Sequence, residues 1–307
     1  MTARIFGTGS YLPEEYVDNH SLSLKVDTSD EWIRTRTGIA GRHIAKEETT
    51  SQMAAAAADR ALQQCGWRPE EVDLILVATS TPDTLYPSVA CSVQKLCNAG
   101  NAVCMDINAA CSGFLYALAT AHAYIQSGIC TKALVIGAER LSGVLDWNDR
   151  STCVLFGDGA GAAAVGRDDT GIVDLVMFSD GRGGDVLQLK SGGTMTMSGR
   201  EVFEFAVRKV PESIRTLLGR ARMGAEEVDH YLLHQANARI IQTVAKRLKV
   251  SVDKFPVNLD HCGNTSAASI PILIDEMNRE GRLLRGEKVV LSGFGAGLTW
   301  GAVLLIW

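Results

Sequence analysis

The chain is predicted to be an α/β protein made of two similar halves, and three observations carry that prediction. The first is a repeat: "EEVDLILVATS" (70–80) returns as "EEVDHYLLHQA" (226–236), each opening as a buried strand after a helical segment. The second is another repeat, "FGDGAGAAAV" (156–165) against "FGAGLTWGAV" (294–303), a glycine-rich turn running into an apolar strand. The third is length. At 307 residues a single hydrophobic core stops growing and two packed halves become the natural solution. Strands alternating with helices then point to α/β architecture. The boundary is expected where "GRDDTG" breaks the apolar pattern near Gly166–Thr170, giving halves of 1–167 and 168–307.

Within the first half, 101–107 reads as a strand, "NAAC" as a tight turn and 112–128 as a helix. Cys111 is therefore expected at a helix N-terminus, where free backbone N–H groups and the helix dipole favour a thiolate. In the second half "FPVNLDHCGNTSAASIPILIDEM" repeats the strand–turn–helix plan, and Asn264 falls near the position equivalent to Cys111. His234 ends the strand that repeats 72–79. Two such turns facing each other across a pseudo-twofold axis would bring Cys111, His234 and Asn264 together. Each has a plainer reading alone: a core cysteine, a hydrogen-bonded histidine, a helix N-cap.

Composition narrows the setting. With 46% hydrophobic and 21% charged residues the chain matches a globular enzyme, and a net charge of −5 argues against nucleic acid. No signal peptide or membrane-spanning stretch is evident, so a cytoplasmic protein is expected. The eight cysteines include no C-x-x-C pair and are expected to be reduced, with no metal site.

Five segments, "DTSDEWIRTRTGI" (27–39), "DINAACSGF", "FGDGAGAA", "HQAN" and "GNTSAASIP", resemble in order and spacing the β-ketoacyl-acyl carrier protein synthase III family. The resemblance runs from Gly7 to Gly301. It implies the thiolase fold, a five-layered αβαβα sandwich usually found as a homodimer. It also implies a decarboxylating Claisen condensation of a short acyl-CoA, commonly acetyl-CoA, with malonyl-acyl carrier protein, with coenzyme A as part of the substrate and no resident cofactor. Cys111 would carry the acyl group as a thioester. His234 and Asn264 would stabilise charge on the thioester oxygen during decarboxylation, and the backbone N–H groups of Cys111 and Ala296 would form an oxyanion hole.

The same resemblance implies that Trp32 and Arg150 hold the adenine, that Arg36 meets the phosphates, and that Gly199, Ala236 and Asn237 line the pantetheine channel. Gln235, Ala236, Asn237, Ala238 and Arg239 would dock the carrier protein, with Lys246 and Arg247 on the same helix. Tyr86 matches a position that reaches the partner subunit's acyl pocket in relatives. Three departures stand out: Glu204 replaces a docking lysine, Cys262 replaces His or Tyr, and Ala296 replaces glycine. Two other readings stay open. "GDGAGA" suggests a dinucleotide site, but a strand follows it where a helix is needed. Cys262 suggests the second cysteine of a non-decarboxylating thiolase. A condensing enzyme of secondary metabolism with another primer is the remaining alternative.

Overall fold

A computed structural model describes residues 1–307. Two sheets divide the chain. Five strands form the first, in the spatial order Thr2–Tyr11, Gly159–Asp168, Lys132–Glu139, Leu74–Ala78 and Val103–Ile107. Four form the second: Ile172–Ser179, Thr299–Ile306, Lys288–Gly295 and His230–Leu233. Pairing directions correspond along both sheets, with two antiparallel ladders followed by parallel ones. The sheets exchange no strand, and the chain passes from one to the other between Asp168 and Ile172.

Both faces of each sheet are covered, which is why the central strands are apolar without a break. Along Leu74–Ala78 the side chains alternate between two cores: Ile75 and Val77 face the helices Thr50–Cys65 and Val89–Leu96 on the outside. Leu74, Leu76 and Ala78 face inward. The second sheet divides likewise, with Val289 and Leu291 inward and Val290 outward, beneath Gly199–Arg220 and Ala238–Leu248. Between the sheets lie the helices Gly113–Gln126 and Ser269–Arg279, whose Phe114, Leu115, Leu118, Leu273 and Met277 fill one shared core. The layers run α-β-α-β-α.

The duplication is tighter than the sequence repeats suggest. A 3-10 turn, Ala110–Ser112, leads into the first central helix, and another, Ser266–Ala268, leads into the second, 156 positions on. Ala110 and Ser266 hold the same left-handed backbone, with φ of 46° and 49°. Before each, an asparagine carboxamide oxygen accepts the N–H two residues on, Asn108 from Ala110 and Asn264 from Ser266. Asn264 therefore corresponds to Asn108, and the counterpart of Cys111 is Ala267. The expectation that Asn264 falls near the Cys111 position is corrected by these three residues. The glycine-rich repeat also shifts: Glu139 pairs with Gly159, and its counterpart Gly295 pairs with Thr299. Gly159 thus corresponds to Thr299, two places from the expected alignment. No helix is long and apolar enough to cross a membrane.

Candidate active site

Cys111, His234 and Asn264 line one cavity of about 500 Å3 at the facing ends of the two central helices. Backbone bonds hold Asn264 across the halves and His234 within the second half. The N–H of Asn264 donates to Leu155 O at 2.8 Å, and Gly157 N–H donates to Asn264 O at 3.0 Å. His234 follows the strand His230–Leu233 and donates its N–H to Ser292 O at 2.8 Å. The Cys111 turn is tied to the Ala296 turn through hydroxyls: Ser112 and Thr299 meet at 2.7 Å, and Thr299 donates at 3.0–3.1 Å toward the carbonyls of Ala109 and Ala296. A methyl group built on Gly295 would lie 2.7 Å from Cys111 N, so only glycine lets the two turns approach this closely.

The side-chain bonds fix what each group offers. Asn264 Oδ1 is occupied by the Ser266 N–H at 2.9 Å, which leaves Nδ2 as the donor presented to the cavity. Ser269 Oγ accepts the Gln235 N–H at 3.3 Å and meets His234 Nδ1 at 2.7 Å. A Ser269 hydroxyl that donates to Nδ1 goes with the tautomer that carries hydrogen on Nε2, the form that presents a donor to the cavity. Burial holds the His234 pKa down at about 3, so the ring is neutral and still a donor. Phe294 packs edge-on against it with centroids 5.2 Å apart. Two neutral side-chain donors beside a cysteine can stabilise a developing oxyanion without fixing a charge of their own.

The expectation of a resting thiolate needs correction. Cys111 sits inside the 3-10 turn before the helix Gly113–Gln126, and its own N–H and Ser266 pull the thiol down. Burial and the charge of Glu139 outweigh them and push it to about 12. The resting group is a thiol, and acylation requires a proton acceptor.

Beyond Cys111 a second space of about 330 Å3 extends between Leu141, Phe156, Leu187, Leu189 and Met195. It touches Ala296 and is bounded by a small hairpin of Leu187–Leu189 and Met195–Met197 that the sequence reading did not anticipate. In the other direction the main cavity reaches Trp32, Arg36, Gly199, Ala236, Asn237 and Arg239. Asn237 caps the helix Ala238–Leu248 and donates Nδ2 to Arg36 O at 3.0 Å, tying that helix to Asp30–Thr37. Gly38, whose Cβ would meet Ala238 Cβ at 2.8 Å, allows the approach.

Three expected roles change in detail. Arg150 lies outside the cavity lining, its guanidinium 5.3 Å from the Trp32 ring and bonded to Asp27 O at 2.7 Å. A base inserted between them needs roughly 7 Å, two van der Waals separations, so Arg150 must swing aside. Gln235 is buried, and its carboxamide is spent on Leu233 O, Pro256 O and the Asn258 N–H. It cannot meet a docking partner, a correction to the expected surface. Ala236, Asn237 and Ala238 are partly exposed and Arg239 is exposed. Tyr86 is 87% exposed and lines neither space of its own chain. Cys262 also lines neither: it packs against Ala268 and Ile272 beside His261 and Glu276, which removes the geometric case for a second reacting cysteine.

A cysteine with two side-chain donors, set where duplicated halves of a five-layered sandwich meet, defines a condensing enzyme of the thiolase fold. Residues 105–181 match the family described as 3-oxoacyl-[acyl-carrier-protein] synthase III, and residues 218–307 match its C-terminal part. A β-ketoacyl-[acyl-carrier-protein] synthase III of Clostridium acetobutylicum is 49% identical, covering 100% of this chain and 99% of that protein. The crystal structure of the synthase III from Aquifex aeolicus superposes with a TM-score of 0.98 at 49% identity, covering 99% and 100%. That of the priming β-ketosynthase of the R1128 polyketide pathway gives 0.95 at 37% identity, covering 99% and 96%. The chain belongs to the β-ketoacyl-acyl carrier protein synthase III family.

Proposed function

We propose that the protein condenses acetyl-CoA with malonyl-acyl carrier protein, releasing carbon dioxide and giving a 3-oxoacyl-acyl carrier protein, the initiating step of type II fatty acid synthesis in the cytoplasm. It is an acyltransferase, and the CoA thioester is substrate, so no resident cofactor is required. The observation that carries this reading is the pair of neutral donors, His234 Nε2–H and Asn264 Nδ2, beside Cys111. Losing carbon dioxide from a malonyl thioester leaves negative charge on the thioester oxygen, and two preorganised donors in a desolvated cavity stabilise it. The oxyanion hole of Cys111 and Ala296 N–H groups serves the tetrahedral intermediates. The test is carbon dioxide release and product mass from malonyl-acyl carrier protein with a panel of acyl-CoA primers. Preference for acetyl-CoA supports the reading. Preference for another primer supports a polyketide-type starter role, to which the likeness to the R1128 enzyme lends weight.

Trp32 and Arg150 bind the adenine, Arg36 the phosphates, and Gly199, Ala236 and Asn237 flank the pantetheine arm. The carrier protein docks on Ala236–Arg239 without Gln235. Arg36, Arg200 and Arg239 are exposed around this end of the cavity, although Arg200 is paired with Glu204 at 2.9 Å, which weakens its pull. Ile240, Ile241, Val244 and Leu248 are buried while Arg239, Lys246 and Arg247 stay exposed, as an amphipathic helix requires. Arg239→Glu is expected to weaken use of malonyl-acyl carrier protein while sparing acetyl transfer from CoA, and added salt should narrow the gap to the parent. Equal slowing of both stages would show that Arg239 serves the fold or the CoA site.

The protein acts as a homodimer. Leu85 and Tyr86 are 89% and 87% exposed, and Val103, on the outermost strand of the first sheet, is 61% exposed. Covering this apolar ground would bring Tyr86 to the partner's acyl space. Tyr86→Ala is accordingly expected to shift primer preference toward longer acyl-CoA. An unchanged primer profile would separate Tyr86 from the pocket.

A further inference from the structure

Away from the reaction cavity the fold gathers three side chains of the kinds that ligate metals, His261, Cys262 and Glu276. His261 and Cys262 close the short helix Leu259–Cys262, and Glu276 stands on the central helix Ser269–Arg279. One ligand atom from each lies within 4.8 Å of the other two. None of the three lines either space described above. The lack of a paired-cysteine spacing has no bearing on this cluster, which uses one cysteine and draws its other donors from a histidine and a glutamate.

The hydrogen bonds around the cluster orient its donors. Asp260 Oδ1 lies 3.0 Å from His261 Nδ1, and a carboxylate can only accept, so hydrogen sits on Nδ1. Nε2 faces Glu276, 3.5 Å from its Oε2, and in the neutral ring it offers a lone pair. Asn258 Nδ2 donates to Glu276 Oε2 at 2.9 Å and fixes that carboxylate in turn. A carboxylate behind a histidine, and a hydrogen bond to a ligating carboxylate, are the outer contacts by which metal sites hold their ligands. Cys262 is buried against Ala268 and Ile272, which keeps one side of the site dry. The side chains of His261 and Glu276 are 42% and 21% exposed, which leaves an approach from solvent.

Size and charge both suit zinc. Bonds of about 2.0–2.3 Å at tetrahedral angles separate neighbouring ligand atoms by about 3.3–3.6 Å. The His261–Glu276 distance of 3.5 Å already falls there, and side-chain rotation can close the rest. A thiolate, a carboxylate and a neutral imidazole carry two negative charges between them, which a divalent ion balances. Mixed sulfur and nitrogen donors favour zinc over magnesium or calcium, which take oxygen. Without a metal a proton holds the same place: Cys262 and Glu276 push the His261 pKa up to about 11. An incoming dication displaces that proton and the thiol's to solvent.

We propose that His261, Cys262 and Glu276 bind a zinc-class divalent ion, with solvent as the fourth ligand. The ion pins the helix Leu259–Cys262 to the central helix and steadies the segment that reaches Asn264 two residues later. It takes no part in the condensation.

The test titrates the full chain with Co2+ and Zn2+. Co2+ bound through a thiolate gives a charge-transfer band in the near ultraviolet, and the parent should show that band saturating at one equivalent. It should vanish in Cys262→Ser and persist in Cys111→Ser, which separates this site from the reaction cavity. In the Cys111→Ser protein Zn2+ should raise the melting temperature, and adding His261→Ala should remove the rise. His261 is half-exposed, so His261→Ala is expected to fold and, free of metal, to condense at the parent rate. It decides the matter if Cys262→Ser does not fold. Asp260→Asn should weaken Zn2+ binding about 10–100-fold, the usual effect of losing an outer partner of a ligating histidine. A parent without the Co2+ band overturns the site. So does a band that follows Cys111, or a Zn2+ shift undiminished by His261→Ala. These readouts need no turnover, so a failure of acetyl-CoA condensation would leave them standing.

Discussion

Cys111→Ser is expected to abolish condensation, with a loss of at least about 10⁴-fold, the scale on which removal of a covalent nucleophile is felt. The structure makes the demand severe, since even the thiol is held near 12 by burial. A serine hydroxyl is a far weaker acid still and a poorer nucleophile toward a thioester. Of the eight cysteines only Cys111 lines the cavity, so brief exposure to acetyl-CoA and peptide mapping should find the label there. Cys91 is exposed and lines neither space, and Cys262 is buried away from the cavity. Label mainly on Cys262 would sink the assignment.

His234→Ala and Asn264→Ala should each leave acetyl-Cys111 formation intact and cost decarboxylation about 10²–10³-fold, roughly 3–4 kcal/mol, the effect of one lost donor to an oxyanion. The separation follows from geometry. In the proposed mechanism the oxyanion donors for acylation are backbone groups of Cys111 and Ala296, which neither substitution removes, whereas the two side chains would donate to the enolate oxygen. Because His234 is neutral down to about pH 3, the parent's decarboxylation should show no histidine titration between pH 5 and 8. Carbon dioxide released at the parent rate by either variant would make that residue structural.

The residues that repeat were legible because duplication leaves a local signature. A strand read at 74–78 could be found again at 230–233, and with it the histidine that follows. One register was legible and passed over: the offset of 156 between 70–80 and 226–236 also sets Asn264 on Asn108, and the matching turns bear it out. Gln235 stands only two residues before the partly exposed Asn237, yet it is buried just past the strand His230–Leu233 with its carboxamide bonded to Leu233, Pro256 and Asn258. Glu139 accepts a hydrogen bond from Ser266, 127 positions away, and nothing in either segment announces the other. The hairpin that bounds the second space alternates, Leu187-Gln188-Leu189 against Met195-Thr196-Met197, but strands of three residues are too short to stand out from a loop. The thiolate expected at Cys111 was argued from helix polarity alone, and depth of burial belongs to the assembled layers.

The two halves meet at Gly295 and Cys111, where no atom larger than hydrogen fits between the turns. The proposed oxyanion donors, Cys111 and Ala296, thus come one from each half, and the proposed nucleophile stands in one half with its two helpers in the other. Neither half is a reduced version of the enzyme; alone, each would lack part of every constellation and half of the shared core. Any change in how the two similar halves seat against each other therefore bears on the reaction. The seam between them carries a requirement for fidelity that the cores on either side do not share, and the hydroxyl clasp of Ser112 and Thr299 is stitched along that seam.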